Sequence, residues 1–170
     1  MSGRRLGELQ AEHERLFAAY ERYQVALMDR DGARAAEELA GLRARLAAHA
    51  AVEEAHLMPL FEALHAVQPR EGAGPELFAA EHGKLERLGA GLAEALDAAR
   101  AGSGPLAAGV ALGLIERGFT FKHLLEHHTQ REDRAFYPVL EAHVAGWGAA
   151  ERADLWARLD AARAAGAGEA

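Results

Sequence analysis

Apolar residues recur at alternating intervals of three and four along four long stretches of the chain, which is typical of helices that bury one face. Gly and Pro separate these stretches and predict helices over about 4–28, 32–67, 75–100 and 105–144, a shorter helix over 149–164, and a frayed end at 166–170. Long helices joined by short connections predict an all-α protein, an antiparallel up-down-up-down four-helix bundle with a short fifth C-terminal helix. We assign residues 1–146 to the bundle and 147–170 to the C-terminal helix and tail.

Each predicted inward face also carries a histidine near the middle of its helix. These residues are His13, His49, His82 and His128, one from each of the four long helices. Burying an unpaired polar group costs several kcal/mol, so inward histidines need partners. Imidazoles and carboxylates are ligands for iron, manganese and zinc, and helix bundles hold such ions in their cores. The pattern therefore predicts a metal site inside the bundle.

Carboxylates follow three of these histidines at the same interval. Glu53, Glu86 and Glu132 each come four residues after a His. Four residues turn a helix by about 400°, so each Glu lies one turn further on and close to the same face. We therefore expect all three to face the predicted metal site. Asp133, next to Glu132, and His56, two turns after His49, stay open as further ligands.

The second and fourth helices contain an internal repeat. Residues 49–59 and 128–138 both read H-x3-E-[ED]-x4-P, with an apolar pair on either side of the Pro. Pro within a helix removes a backbone hydrogen bond and bends the axis, so both helices are expected to bend at this point. With regular helical spacing, the inward faces would continue through His56 and Leu60 and through Phe136 and Val139.

The order H…HxxxE…H…HxxxE, with Glu-His pairs at 12–13 and 81–82, resembles the hemerythrin-like, HHE cation-binding family over about residues 5–145. The resemblance implies a bundle around a non-haem di-iron centre, two iron ions with a bridging oxo or hydroxo group, and Glu53 and Glu132 as bridging carboxylates. The expected metal ligands are His13, His49, Glu53, His82, Glu86, His128 and Glu132.

The resemblance also implies a function, namely binding of oxygen or a related small molecule such as nitric oxide or peroxide, for sensing, storage or detoxification. Oxygen carriers of this family place a second His where this sequence has Glu86. An additional anionic ligand favours the ferric state. The sequence therefore favours a sensor, an oxidase or an iron-handling protein over a simple reversible oxygen carrier.

Three other classes of protein fit the sequence less well. A ferritin-like di-iron oxidase uses paired ExxH motifs, and Glu53-x-x-His56 fits, but the fourth helix has none. A signalling bundle that carries phosphate on an exposed His would not need four inward ones. A metal-free scaffold would leave the buried ionisable groups unexplained. Whether the protein turns over a substrate, as an oxidase or peroxidase, stays open.

The amino-acid composition excludes several further classes of protein. The nine β-branched residues among 170 are too few for a sheet protein. The net charge of -7 argues against a nucleic-acid partner. No apolar run approaches the length of a membrane span, and without Cys there is neither a disulfide nor a thiolate metal site. No secretory signal is visible, so we expect a cytoplasmic protein, monomeric or homodimeric.

Overall fold

The structure is a computed structural model, and it describes residues 3–68, 72–100 and 104–167. Within these ranges there is no β-strand, which confirms the all-α prediction. The helices are α1 (Gly3–Met28), α2 (Gly32–Val52), α3 (Met58–Val67), α4 (Pro75–Ala99), α5 (Ala108–Arg131), α6 (Tyr137–Ala145) and α7 (Ala149–Ala167). A single π-helical turn, Glu53–Leu57, joins α2 to α3, and a second, Glu132–Phe136, joins α5 to α6.

The connections at one end of the molecule fix the direction of the helices. Asp31 caps α2 by accepting a hydrogen bond from the backbone N–H of Arg34 at 3.0 Å. The backbone N–H of Leu106, shortly before α5, donates to the carbonyl oxygen of Arg30, shortly after α1, at 2.9 Å. The start of α5 therefore lies beside the end of α1, and these two helices run in opposite directions.

Two predicted boundaries are corrected by the structure. We expected Pro105 to begin the fourth helix, but α5 begins at Ala108. Leu106 uses its N–H to bind the turn after α1, and Gly104 has a φ of 120°, and residues 104–107 are not helical. At the other end, α7 extends through Gly166 to Ala167, beyond the predicted limit of 164, and the rest of the expected frayed end (168–170) lies outside the described residues.

The buried apolar residues form two clusters, with a layer of polar residues between them along the bundle. One cluster follows the inward faces from Leu16, Leu46, Leu85 and Leu125 toward the α1–α2 turn. The other surrounds the π-helical turns and includes Leu9, Leu57, Phe61, Phe78, Phe136, Leu140 and, from α7, Leu155 and Leu159. The inward histidines lie between the two clusters in sequence on every long helix, so water is kept from them on both sides.

The π-helical turns explain how the bundle accommodates Pro59 and Pro138. In each turn the backbone N–H before the Pro bonds five residues back, from Met58 to Glu53 and from Tyr137 to Glu132. The wider turn avoids the clash that Pro makes with the carbonyl group four residues earlier in an α-helix. Because each turn contains one extra residue, the side chains after it are rotated about the helix axis relative to their positions in a regular α-helix.

This rotation corrects the predicted inward faces beyond the turns. Leu57 and Phe61 are buried where His56 and Leu60 were expected, and both of the latter are half-buried. In the second half, Phe136 is buried as predicted, but Leu140 replaces the half-buried Val139. Among the described residues, no helix combines the length and apolarity that crossing a lipid bilayer requires.

Candidate metal centre

Six of the seven predicted ligands meet in the polar layer at the centre of the bundle. All are buried, and Glu53, His128 and Glu132 have no measurable exposure. The contributing elements are α1, α2, α4, α5 and both π-helical turns, and the residues are His13, His49, Glu53, His82, His128 and Glu132. One ligand atom each from His49, Glu53, His128 and Glu132 lies within 4.8 Å of the others, so these four alone could surround an ion.

The two carboxylate oxygens of Glu132 face different pairs of histidines. Its Oε2 lies 3.0 Å from His13 Nε2 and 3.7 Å from His49 Nε2. Its Oε1 lies 2.8 Å from His128 Nε2 and 3.6 Å from His82 Nε2. One oxygen thus faces the histidines of the first half of the chain, and the other faces those of the second half.

Glu53 spans the two halves in the same way. Its Oε1 lies 3.6 Å from His49 Nε2 and its Oε2 lies 3.3 Å from His82 Nε2. The phenol of Tyr137 also donates a hydrogen bond to Glu53 Oε1. Two carboxylates that each reach both halves are suited to bridging a pair of metal ions.

Three of the histidines have an acidic neighbour at Nδ1, on the side away from the centre. The Nδ1 of His82 is hydrogen-bonded to Glu54 at 2.9 Å, and that of His128 to Glu81 at 3.1 Å. The Nδ1 of His13 lies 3.3 Å from Asp133 Oδ1. A carboxylate hydrogen-bonded to the outer nitrogen, as at His82 and His128, holds the proton there and leaves Nε2 free to bind a metal.

Charge is unevenly distributed around these groups in the metal-free protein. Burial lowers the pKa of His82 and His128, but the adjacent carboxylates outweigh it, Glu132 most strongly, and raise these pKa values to about 10 and about 9. Burial raises the pKa of the Glu132 carboxyl, but the surrounding imidazoles outweigh it and hold this pKa well below its usual range. Without metal, the negative charge of the carboxylates is therefore balanced by protons on histidines.

Several buried polar atoms at the centre of the bundle lack hydrogen bonds, and these atoms show whether the residues fit metal ions. Within the described part of the chain, these atoms include the Nε2 atoms of all four central histidines, Glu53 Oε2 and both carboxylate oxygens of Glu132, which lie at ion-pair distances from one another but not in hydrogen-bonding geometry. Atoms of this kind are costly to bury without partners. Their convergence, with nitrogen and oxygen donors mixed, fits transition metal ions of the iron, manganese and zinc class.

Glu86 is the predicted ligand that the structure does not bring to the cluster. Its side chain is exposed and lines a groove of 740 Å³ between α2 and α4, which also touches His82 and Glu54. Helical spacing from His82 was the reason to expect it inside, but Leu85 is the buried residue at that level. His56 is half-buried on the first π-helical turn, and Asp133 is 43% exposed at its side chain.

Sequence reasoning missed two residues that support the cluster. Tyr137 would lie beside the inward face of a regular helix, and the π-helical turn brings it to Glu53. Glu81 binds both His128 and the guanidinium of Arg131. The repeated Glu-His pairs could have indicated Glu81, and the repeated Pro could have indicated a change of helical phase before Tyr137.

A family comparison agrees with this geometry. The model of the hemerythrin HHE cation-binding domain matches residues 5–100 and 73–165. The first match contains His49 and Glu53 and the second contains His128 and Glu132, so each includes one copy of the repeated motif. The chain belongs to the hemerythrin HHE cation-binding family. Searches among curated proteins and among solved structures gave no match.

Proposed function

We propose that this protein is a non-haem di-iron protein that binds oxygen or a related small molecule, such as nitric oxide or peroxide, for sensing, storage or detoxification. The proposal rests on the position of Glu132, because one of its carboxylate oxygens faces one pair of histidines and the other oxygen faces the other pair. A single ion needs no carboxylate between two sets of imidazoles, whereas two ions do.

The residues of the candidate metal centre would have three different roles, as ligands, as bridges and as groups that orient the ligands. His13, His49, His82 and His128 would donate their Nε2 atoms, and Glu53 and Glu132 would bridge. Glu54, Glu81 and Asp133 would orient the imidazoles through Nδ1. Bound iron would supply redox chemistry and a coordination position for a small ligand. The apolar clusters on either side exclude water and so favour small neutral ligands over ionic ones.

The choice of iron rests on family membership together with the donor set, since imidazoles and carboxylates also suit manganese and zinc. The groove between α2 and α4 reaches His82, and six of its thirteen lining residues are alanines, which leaves room for the passage of a small molecule. Within this proposal Glu86 lines that groove and is not among the ligands.

Anaerobic loading with Fe(II) tests the proposal. We expect two iron ions per chain, and a change in the visible spectrum when the reduced protein is mixed with oxygen or nitric oxide. Repeated cycles of reduction and exposure would separate ligand binding from oxidase turnover, because an oxidase would consume oxygen beyond the amount of iron. A folded protein that retains less than half an equivalent of any transition metal after loading would refute the proposal.

A further inference from the structure

A pair of histidines lies on the outer surface of α5, outside the candidate metal centre. His123 and His127 are four residues apart and both are exposed. Their Nε2 atoms are 3.1 Å apart, and their rings are nearly perpendicular, with centroids separated by 4.3 Å. One ring nitrogen therefore donates a hydrogen bond to the other on the solvent side of α5, and an ion that replaced this proton would contact both nitrogens.

This separation matches the spacing of two ligands on one metal ion. Imidazole nitrogens bind transition metals at about 2.0–2.1 Å, so two of them at tetrahedral or octahedral angles lie about 2.9–3.4 Å apart. The interval of four residues places both rings on one side of a rigid helix. Neither side chain would need to move far to hold an ion.

The pair is separate from the central cluster. His128 follows His127 directly, yet it is fully buried, because consecutive residues on a helix point about 100° apart. The cation nearest in sequence, Lys122, is paired with Glu126 at 3.6 Å, so its charge is partly compensated. An ion at the outer pair would reach solvent without entering the bundle.

We propose that His123 and His127 form a second metal site, which chelates one divalent transition metal ion of the copper, nickel or zinc class on the surface of α5. Nitrogen donors select this class over magnesium and calcium, which prefer oxygen. Two imidazoles leave the remaining coordination positions to water. Affinity should follow the order that imidazole ligands usually give, with copper above nickel and zinc.

The test is a titration of the iron-loaded protein with Zn(II), Ni(II) and Cu(II), with the iron content measured before and after. We expect one additional ion per chain. The variant His123→Gln should bind it about tenfold more weakly or worse, since the second imidazole on a rigid helix acts at high effective concentration. His143→Gln is the matched control, because His143 is an exposed histidine that packs on Trp147. It should change neither the affinity nor the iron content.

The Cu(II) complex provides a second readout, since its electron paramagnetic resonance spectrum should show two nitrogen ligands. Equal affinity in the wild type and His123→Gln would show that the two rings merely hydrogen-bond to each other, and it would overturn the proposal. Four nitrogen ligands together with a doubled mass would also overturn it, because the ion would then link two chains instead of being chelated by one.

Discussion

Tyr137 donates a hydrogen bond to Glu53 from the opposite half of the chain, 84 residues away in sequence. The residue at the matching position of the first half is Met58, which has no donor to offer Glu132. The two proposed bridging carboxylates therefore differ, although the motifs that carry them are repeated. Glu53 is held by a phenol, and Glu132 is surrounded by four imidazoles.

The first prediction concerns this phenol. Tyr137→Phe should keep its iron but lower the reduction potential of the centre, because a carboxylate that loses a hydrogen-bond donor gives more charge to the metal. The free energy of unfolding should fall by about 1 kcal/mol. Metal analysis, a redox titration and thermal unfolding would measure these effects.

Tyr23→Phe is the matched control for Tyr137→Phe. Tyr23 is also fully buried, but its hydroxyl has no hydrogen-bond partner among the described residues and it belongs to the apolar cluster nearer the α1–α2 turn. Its loss should leave the potential unchanged. Equal shifts of potential in both variants would contradict the role given to Tyr137.

The second prediction separates the adjacent acidic residues of each motif. Glu53→Ala and Glu132→Ala should lose one or both iron ions and destabilise the fold by roughly 1–3 kcal/mol for each imidazole left without a partner. Glu54→Ala and Asp133→Ala should retain iron, because these side chains are 50% and 43% exposed and contact the central histidines only at the outer Nδ1 atoms. Equal iron loss from Asp133→Ala and Glu132→Ala would show that the bridging carboxylate of the second half is assigned to the wrong residue.

Regular helical spacing was enough to predict the fold and to bring six polar residues together, because none of the six lies beyond a π-helical turn on its own helix. His13 and His82 lie on helices without such a turn, and the other four residues precede or begin one. Beyond Glu53 and Glu132 the same spacing failed by one residue, and Phe61 and Leu140 are buried instead of Leu60 and Val139. A hydrophobic pattern read at 3.6 residues per turn contains no signal for one wider turn. The repeated Pro did mark the position of each wider turn, but the sequence predicted only a bend in the helix there.

Glu86 shows a second way in which helical spacing fails to predict the position of a side chain. Its spacing from His82 equals that of Glu53 from His49, yet Glu86 is exposed. Glu53 and Glu132 each begin a π-helical turn, whereas Glu86 lies within the regular helix α4. Spacing along one helix therefore restricts the possible directions of a side chain without selecting among them.

The third prediction follows from this position of Glu86. Glu86→Ala should keep the iron content and the visible spectrum of the wild type, since the side chain lies at the groove rather than in the cluster. Binding rates for small ligands could be measured by stopped flow in the same samples. Loss of an iron ion from Glu86→Ala, with the helical content unchanged, would restore Glu86 to the ligands.

The fourth prediction concerns the π-helical turn at Pro59. Deletion of the exposed Ala55 would remove the extra residue and force Pro59 into a regular α-helix, at a cost of about 3 kcal/mol. Combining the deletion with Pro59→Ala should recover most of this loss, because Ala restores the backbone N–H and removes the clash. Denaturant unfolding of the two variants and of Pro59→Ala alone would measure the coupling. Additive effects would mean that the turn does not serve to accommodate Pro59.

The last prediction is that pH affects the metal-free and iron-loaded proteins in opposite directions. In the metal-free protein the pKa values of His82 and His128 are raised to about 10 and about 9, above the unfolded value of about 6.5. Their contribution to stability is fully present below pH 6.5 or so and is lost as pH rises through 9 to 10. The melting temperature of the metal-free protein should therefore fall between pH 7 and 9.5.

Iron reverses this dependence because imidazoles bind metal only after they lose a proton. The difference in melting temperature between the iron-loaded and metal-free proteins should therefore grow as pH rises, and it should vanish on acidification when protons displace the iron. Proton release on loading at constant pH provides an independent measure of the same exchange. A temperature difference that stays constant from pH 6 to 9.5 would mean that the metal does not replace protons on these histidines, and that its ligands lie elsewhere in the chain.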